Sequence, residues 1–289
     1  MPVFFGTSLA VVVGGARLDV LRFALALAAM VILHSAANMR SDVFDFRRGL
    51  DTTTTPVSGA IIRGWLTDRQ VARGSAVLFA AGLVLGLALA WMTGWILLVI
   101  GAAGVCIGAS YSFFKVNALG DLTVFLNFGI LGGLGAWTVQ TRAFSWLPVV
   151  WTVPMALLVV GILHANNWRD IATDSDRRVR TFASILGDRG SLNYYGFLLF
   201  GSLLLVAAYV AIPRLGIIPA PVLPWPCLIV VAVWPEAHKL WGRAKRRHSP
   251  IEPLDFIILD GATARYNLLF GLLYTAGLWI ELLLRGLRG

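Results

Sequence analysis

The chain has 289 residues, of which 58% are hydrophobic and only 13% are charged, and its formal net charge is +9. Soluble domains carry about 25% charged residues, so this composition excludes a soluble globular protein and predicts an all-α integral membrane protein. The long apolar runs also exclude a transmembrane β-barrel, whose strands alternate polar and apolar residues. The positive balance indicates basic cytoplasmic loops, and we expect membrane lipid around the chain and no nucleic-acid partner.

Nine apolar segments follow one another along the chain, and we predict that each crosses the membrane within one domain that covers residues 1–289. A spanning helix needs about 20 mainly apolar residues. The first segment is short for a crossing, and the eighth contains Pro224 and Pro226. In chain order the segments cover residues 2–14, 18–38, 70–93, 95–113, 120–140, 146–167, 190–211, 222–237 and 266–284.

The distribution of arginine and lysine predicts which loops face the cytoplasm. Four alternate loops hold 17 of the 24 basic residues, whereas the segments on the opposite side hold five. Basic residues are retained on the cytoplasmic side of a membrane. We therefore expect a multi-pass protein of the inner (cytoplasmic) membrane, whose cytoplasmic loops are residues 38–69, 111–121, 164–189 and 236–265.

Polar residues cluster where the second segment ends, in the stretch "HSAANMRSDVFDFRRGLD" at 34–51. Residues three or four apart share one face of a helix. A helix here therefore places His34, Asn38, Asp42 and Asp45 on a single stripe. Taken alone, an aspartate at the end of a span is as readily a solvated loop residue as a functional one.

The sixth segment ends in a similar cluster, "HANNWRDIATDSDRRVR" at 164–180, in which a helix aligns Asn166, Asp170 and Asp174. The Asn-x3-Asp pair of the first cluster recurs here after 128 residues, four segments later. This offset predicts two four-helix pseudo-repeats followed by a ninth helix, arranged around a central cavity. The recurrence also argues against a purely solvated role for both clusters. We interpret His34 and His164 as packing or hydrogen-bonding residues.

The two carboxylate stripes at one membrane edge predict a cation between them. Carboxylates placed close together repel unless a positive charge intervenes, and oxygen-rich sites without thiolates suit hard cations such as Mg²⁺. Mg²⁺ takes one or two carboxylates and completes its shell with water and phosphate oxygens. Arginine binds phosphate in a fork, and the clusters contain Arg40, Arg47, Arg48, Arg169, Arg177, Arg178 and Arg180. The pattern therefore predicts a diphosphate site bridged by Mg²⁺.

At these residues the sequence resembles the UbiA superfamily of intramembrane prenyltransferases, and in particular its 1,4-dihydroxy-2-naphthoate polyprenyltransferase branch. The stretch "NMRSDVFDFRRGLD" is similar to the branch motif N-x-x-N-D-x-x-D-x-x-x-G-x-D, with Ser41 in place of the second asparagine. The stretch "NNWRDIATD" matches N-N-x-R-D-x-x-x-D throughout, although the Gly-Lys that usually follows is absent. Between them, "YSFFK" gives the Tyr-x-x-x-Lys pattern at Tyr111 and Lys115.

The resemblance implies Mg²⁺-dependent transfer of a polyprenyl group from an allylic polyprenyl diphosphate to an aromatic acceptor, 1,4-dihydroxy-2-naphthoate, in menaquinone biosynthesis. It implies Asp42, Asp45, Asp170 and Asp174 as Mg²⁺ ligands and, together with Lys115, as catalytic residues. Lys115 has no predicted ion-pair partner in its own loop. Because an unpaired ammonium inside the membrane is energetically costly, we expect Lys115 to contact the diphosphate. The implied substrate-binding residues are Asn38, Arg47, Arg48, Tyr111, Asn166, Asn167, Arg169 and Arg180.

Two other functions stay open at this point. A terpene cyclase on the same scaffold would use the same Mg²⁺–diphosphate site without an aromatic acceptor. An ion-coupled carrier would place its acidic residues near the bilayer midplane on broken helices. Because the aspartates here cluster at one edge of the membrane, the sequence argues against the carrier.

Overall fold

The computed structural model describes residues 1–49, 59–176, 179–217, 220–252 and 254–288. Every regular element in these ranges is helical, which confirms the all-α prediction. An isolated backbone bridge pairs Asn117 with Arg180.

Among the described residues, the first part of the chain contains four helices: α1 (Pro2–Val12), α2 (Val20–Arg47), α3 (Asp68–Thr93) and α4 (Trp95–Ala109). Helix α2 begins where the Asp19 carboxylate accepts a hydrogen bond of 3.0 Å from the backbone N–H of Arg22. A capping box of Thr67 and Gln70 starts α3. Gly94 joins α3 to α4 at a φ of +126°, which residues with a side chain rarely adopt, and α4 packs back along α3.

The middle of the chain contains a long helix with an irregular turn. After the short α5 (Tyr111–Lys115), α6 (Gly120–Val124), a π-helical turn (Phe125–Leu131) and α7 (Gly132–Thr141) run continuously over Gly120–Thr141. Single π-helical turns occur within helices and frequently mark functional sites. Here the side-chain amide of Asn127 in this turn lies against Gly104 and Gly108 of α4.

Seven elements are seen in the described residues of the last part of the chain. They are α8 (Trp146–Trp151), α9 (Val153–Arg169), α10 (Ile171–Asp176), α11 (Phe182–Arg214), a 3₁₀ helix (Trp225–Val233), α12 (Trp234–Lys245) and α13 (Leu259–Arg288). Helix α11 bends at Gly187, whose φ is +63°.

Five of the described helical stretches are long and apolar enough to cross a membrane: Val20–Arg47, Asp68–Thr93, Gly120–Thr141, Phe182–Arg214 and Leu259–Leu287. Helices α1 and α4 are apolar but shorter. The sixth predicted segment is divided at Thr152, and the eighth begins as a 3₁₀ helix where proline lacks the N–H that an α-helix requires. The chain is thus a multi-pass membrane protein by length and composition of its helices, and the count of nine crossings stays a prediction.

The largest buried core lies on one side of the fold, where α1, α9, α11, α12 and α13 meet. Phe5 of α1 stacks on Tyr274 of α13 at 4.2 Å between ring centroids, and Trp168 and Tyr195 are fully buried nearby. In the described residues, α2, α3 and α4 contribute nothing to this core. They border an apolar cavity instead, so the fold has a packed side and a hollow side.

Candidate active site

The centre of the site is an ion pair between the end of α2 and the short helix α5. The ammonium of Lys115 donates to Asp45 Oδ2 at 2.9 Å, and the two side chains are only 18% and 10% exposed. Lys115 thus pairs with a carboxylate outside its own loop, and its expected contact with the diphosphate stays a prediction. Ser41 Oγ also lies 3.5 Å from the same carboxylate oxygen, so the residue that departs from the branch motif still contacts the first cluster.

Lys115 also connects the two aspartate clusters. Burial by itself lowers the pKa of Lys115. Interactions with negatively charged groups, among them Asp45 and Asp174, outweigh burial, and the pKa lies above its ordinary value. The backbone N–H of Arg180 donates to the carbonyl of Val116 at 3.3 Å, which ties the chain after the second cluster to the loop after α5. Lys115 thus lies within electrostatic range of an aspartate from each of the two clusters.

Asp42, one turn before Asp45 on α2, lies directly against the backbone of Gly59. A Cβ atom built on Gly59 would overlap the Asp42 carboxylate. Glycine at this position therefore allows the chain that returns toward α3 to approach the first cluster closely. This contact fixes the space in which the Asp42 carboxylate can lie.

We expect Gly59→Ala to displace the Asp42 carboxylate and to lower kcat/KM roughly 10-fold, because small displacements of positioned groups slow catalysis steeply. The thermal midpoint should change little, since the substituted residue lies in a loop. Prenyl-transfer kinetics and a thermal melt of the purified variant measure the two effects. Gly286→Ala is the matched control, because nothing lies within 4 Å of its added Cβ. Equal activity of the two variants would contradict the assigned contact.

The second cluster is held by arginine at the end of α9. Arg169 forms a fork on Asp170, with Nε 2.9 Å from Oδ1 and Nη2 3.0 Å from Oδ2. Its third nitrogen, Nη1, donates to Asp260 Oδ2 and to the carbonyl of Ile257, both at 3.0 Å. All three guanidinium nitrogens are therefore engaged, and the orientation of Asp170 is fixed by a bidentate contact.

Asp260, at the start of α13, is a site residue that the sequence analysis missed. Its Oδ2 accepts from Asn166 Nδ2 at 3.4 Å as well as from Arg169, and its side chain is 14% exposed. Asp260 lies next to the last apolar segment, at the edge where the other two clusters end. That shared position, an acidic residue near the end of a predicted span, was the available signal.

The other residues that the resemblance implies for substrate binding make different kinds of contact. The side-chain amide of Asn38 contacts His34 Nε2 at 3.1 Å, and Asn167 is only 2% exposed. Arg47 pairs with Asp68 at 3.0 Å, and the Arg48 guanidinium lies over the ring of Phe44 at 4.3 Å.

Their proposed roles toward the diphosphate stay predictions. Tyr111 interacts electrostatically with Lys115, Asp45 and Asp121. Arg177 and Arg178 lie outside the described residues.

A second buried polar contact lies behind the site, between α6 and α9. His164 Nδ1 is 3.6 Å from Asp121 Oδ2, and both side chains are buried. The ring of Tyr194 packs edge-on against His164 at 4.8 Å and interacts with the same carboxylate. His164 is therefore a packing residue with a polar neighbour, and Asp121 is a further carboxylate that the sequence analysis did not single out.

The aspartates of the two clusters fit a Mg²⁺ ion that the protein and a substrate bind together. Among the described residues, no three histidine, cysteine, aspartate or glutamate side chains converge as a metal cage. Asp45 and Asp170 each contact a cationic side chain. Mg²⁺ bound to phosphates needs only one or two carboxylates, so the four aspartates can supply its protein ligands when a diphosphate brings the remaining oxygens.

An apolar cavity of about 410 Å³ begins near this polar edge. On α2 its lining runs from Ala26 to Ala37, and Ala37 is five residues, or about 7.5 Å along the helix, from Asp42. His34 and Asn127 are the polar groups in its wall. A charged site at the membrane edge thus continues into an apolar space within the helices.

Comparison with known proteins agrees with this geometry. Residues 1–251 match the model of the UbiA prenyltransferase family. The chain is 27% identical to 1,4-dihydroxy-2-naphthoate octaprenyltransferase of Bacillus subtilis (strain 168), over 97% of this chain and 88% of that protein. It is 29% identical to UbiA prenyltransferase domain-containing protein 1 of Danio rerio, over 96% of this chain and 79% of that protein.

The fold is similar to that of a solved UbiA homologue. The apo structure of a UbiA homologue from Aeropyrum pernix K1 aligns with a TM-score of 0.63 at 17% identity, over 97% of this chain and 96% of that chain. At that identity the likeness shows the fold alone. Together with the family match over most of the chain, it shows that the protein belongs to the UbiA prenyltransferase family and is a polyprenyltransferase.

Proposed function

We propose that the protein catalyses Mg²⁺-dependent transfer of a polyprenyl group from an allylic polyprenyl diphosphate to 1,4-dihydroxy-2-naphthoate, in menaquinone biosynthesis. The observation that carries the proposal is Lys115, kept cationic beside Asp45 and Asp174 at the polar end of an apolar cavity. This arrangement suits a substrate with a diphosphate head and a hydrocarbon tail. The activity for which the Bacillus relative is named supports the naphthoate acceptor.

In the proposed reaction the protein stabilises the leaving group and excludes water. The bond between C1 of the allylic chain and its oxygen breaks, and the electron pair leaves with the diphosphate. Lys115 places positive charge where that negative charge develops, and Mg²⁺, when bound, neutralises phosphate oxygens. A ring carbon of the acceptor then forms the new bond to C1, and a base removes the proton from that carbon, a role that an oxygen of the released diphosphate can fill. The apolar walls keep water from capturing the allylic cation first.

The matching relatives favour a transferase over the terpene cyclase, because they are named as prenyltransferases. Purified protein should be supplied with Mg²⁺ and prenyl diphosphates, with and without 1,4-dihydroxy-2-naphthoate, and the organic extract analysed by mass spectrometry. We expect prenylated naphthoate only when the acceptor is present, and its loss on addition of EDTA. An Asp170→Asn/Asp174→Asn variant is the inactive control. A cyclic hydrocarbon released without acceptor would instead establish the cyclase.

We extend the proposal to nine membrane crossings with the site facing the cytoplasm of the inner membrane, on the basis of the uneven distribution of basic residues. Single cysteines at two exposed loop positions test this, Ser249→Cys on the proposed inner side and Ala143→Cys on the outer side. In intact cells an impermeant maleimide should label only Ala143→Cys, and permeabilisation should expose Ser249→Cys. Labelling of Ser249→Cys in intact cells contradicts the orientation.

A further inference from the structure

A charged recess lies at the opposite end of α2 from the aspartate site. It is bordered by the loop between α1 and α2, the first turn of α2 and the end of α7, and its volume is about 580 Å³. Arg22 precedes Asp45 by 23 residues on α2, which corresponds to about 35 Å along the helix. Because the hydrocarbon core of a bilayer is about 30 Å thick, the recess lies at the headgroup level of the other membrane surface.

The recess carries positive charge that the protein does not neutralise. Three arginines and one aspartate line it, namely Arg17, Arg22, Arg142 and Asp19, and together they give a formal charge of +2. The side chains of Arg17 and Arg142 are exposed. Within the described part of the chain neither forms a hydrogen bond or an ion pair. Two guanidinium groups are therefore available to an anion from outside the protein.

Polar contacts hold the walls of the recess in place. The side-chain amide of Gln140, which is 7% exposed, accepts from the backbone N–H of Asp19 at 2.9 Å and donates to its carbonyl at 3.2 Å. The Arg22 side chain, 11% exposed, pairs with the Asp19 carboxylate at 3.2 Å and donates to the carbonyl of Val139 at 3.5 Å. The loop before α2 is thus fixed to the end of α7, and the recess exists without a ligand.

The surface beside the recess is apolar. Leu18, Val20 and Leu21 are 45%, 66% and 60% exposed, and they alternate in the chain with the charged residues of the lining. On the α7 side the exposed rings of Phe144 and Trp146 pack edge to face at 5.0 Å, and tryptophan is enriched at membrane–water interfaces. A phosphate that carries acyl chains can therefore place those chains against this surface, which a free phosphate ion cannot do.

We propose that the recess binds the phosphate of an anionic phospholipid in the leaflet opposite the aspartate site, with the acyl chains lying along the start of α2. Arginine binds phosphate oxygens in a fork, and a charge of +2 favours a lipid with a net negative charge over a zwitterionic one. The headgroup then joins Arg17 of the α1–α2 loop to Arg142 after α7. Bound lipid therefore stabilises the fold at this surface without contact with the reacting groups.

Thermal melts with three additives distinguish the sources of phosphate. Purified protein in a neutral detergent should be mixed with phosphatidylglycerol, phosphatidylcholine or inorganic phosphate. We expect phosphatidylglycerol to raise the thermal midpoint by roughly 2–4 °C, because a ligand that binds only the folded state stabilises it. The other two additives should raise the midpoint by less than half as much. An equal rise with phosphatidylcholine or with inorganic phosphate would overturn the assignment to an anionic lipid.

A double variant tests the residues, with bound lipid counted by native mass spectrometry. Arg17→Gln/Arg142→Gln should lower the affinity for phosphatidylglycerol roughly 10-fold or more, because each basic residue near a membrane surface adds to the attraction for anionic lipid, and should remove the thermal shift. Since the two side chains are exposed and unpaired among the described residues, the variant should melt like the wild type when no lipid is added.

Arg69→Gln/Arg73→Gln is the matched control. It removes the same charge from two exposed residues of α3 that lie outside the recess, and it should keep the wild-type affinity and thermal shift. Wild-type lipid affinity in Arg17→Gln/Arg142→Gln would overturn the inference. Equal loss in both double variants would also overturn it, because attraction would then depend on overall charge and not on the recess. Neither outcome bears on the transferase function, since no readout involves turnover.

Discussion

Lys115→Met is expected to lower the free energy of unfolding by about 3 kcal/mol, because removal of one partner leaves a buried carboxylate without its counter-ion. The partner is Asp45, whose side chain is 10% exposed and lies 2.9 Å from the ammonium. Turnover should fall by about 100-fold or more, since loss of one preorganised charge at a leaving group has an effect of this size. Detergent-titrated unfolding and prenyl-transfer kinetics measure the two changes.

A double variant separates the structural role of Lys115 from its catalytic role. Asp45→Asn removes the buried charge, so Lys115→Met/Asp45→Asn should recover most of the lost stability. It should not recover turnover, because the diphosphate still meets no ammonium. Lys115→Arg keeps the charge and should be the least impaired single variant. Recovery of turnover in the double variant would show that Lys115 serves the fold and not the reaction.

The raised pKa of Lys115 predicts how this ion pair responds to pH. A lysine whose pKa is higher in the folded than in the unfolded protein contributes stability that is complete below its ordinary pKa and is lost only as pH rises through the raised value. Lys115 therefore stays charged across the neutral and mildly alkaline range. Any alkaline loss of activity that begins below its ordinary value of 10.5 must come from another group.

The helical fold and the first aspartate stripe follow from local periodicity, and the sequence predicts both. Asp42 and Asp45 lie on the same helix as Asn38, so their common face depends only on residue spacing. The helical character of the apolar runs follows because backbone groups in lipid must bond within their own segment.

The prediction that one helix aligns Asn166, Asp170 and Asp174 is wrong, because α9 ends at Arg169, Asp170 is its C-cap and α10 begins at Ile171. The sequence predicts less well that the sixth segment is divided at Thr152 and that a 3₁₀ helix follows Pro224. Residues that favour a break in a helix do not always cause one.

The contacts that complete the site come from residues far apart in the chain, and no spacing rule reveals them. Lys115 meets Asp45 across 70 residues, and Arg169 meets Asp260 across 91. The packing around glycines is likewise not readable from spacing, since an added Cβ on Gly82 would overlap Leu33 whereas one on Gly86 or Gly101 would have nothing within 4 Å.

Asp260 has the geometry of a residue that acts through its neighbours. It contacts Asn166 and Arg169, both of which belong to the second motif, and Arg169 in turn holds Asp170 in a fork. A residue of this kind orients the side chains that bind metal and substrate. Substitution of such an orienting residue lowers metal affinity or activity about 10- to 100-fold.

We therefore expect Asp260→Asn to lower kcat/KM about 100-fold, with a rise in the KM for the prenyl diphosphate and in the Mg²⁺ concentration needed for half-maximal activity. The asparagine keeps the size of the side chain but removes the charge that holds Arg169 Nη1 at 3.0 Å, so Arg169 can swing with Asp170. Asp255→Asn is the matched control, because Asp255 pairs instead with Arg243 of α12 and with Arg246, the residue that follows α12, and it should retain near-normal kinetics. If Asp260→Asn changes thermal stability alone, with wild-type Mg²⁺ dependence and KM, the residue anchors α13 and has no positioning role. A shift in Mg²⁺ dependence would be unexpected from a helix anchor, whereas it follows directly from a loosened Arg169–Asp170 fork.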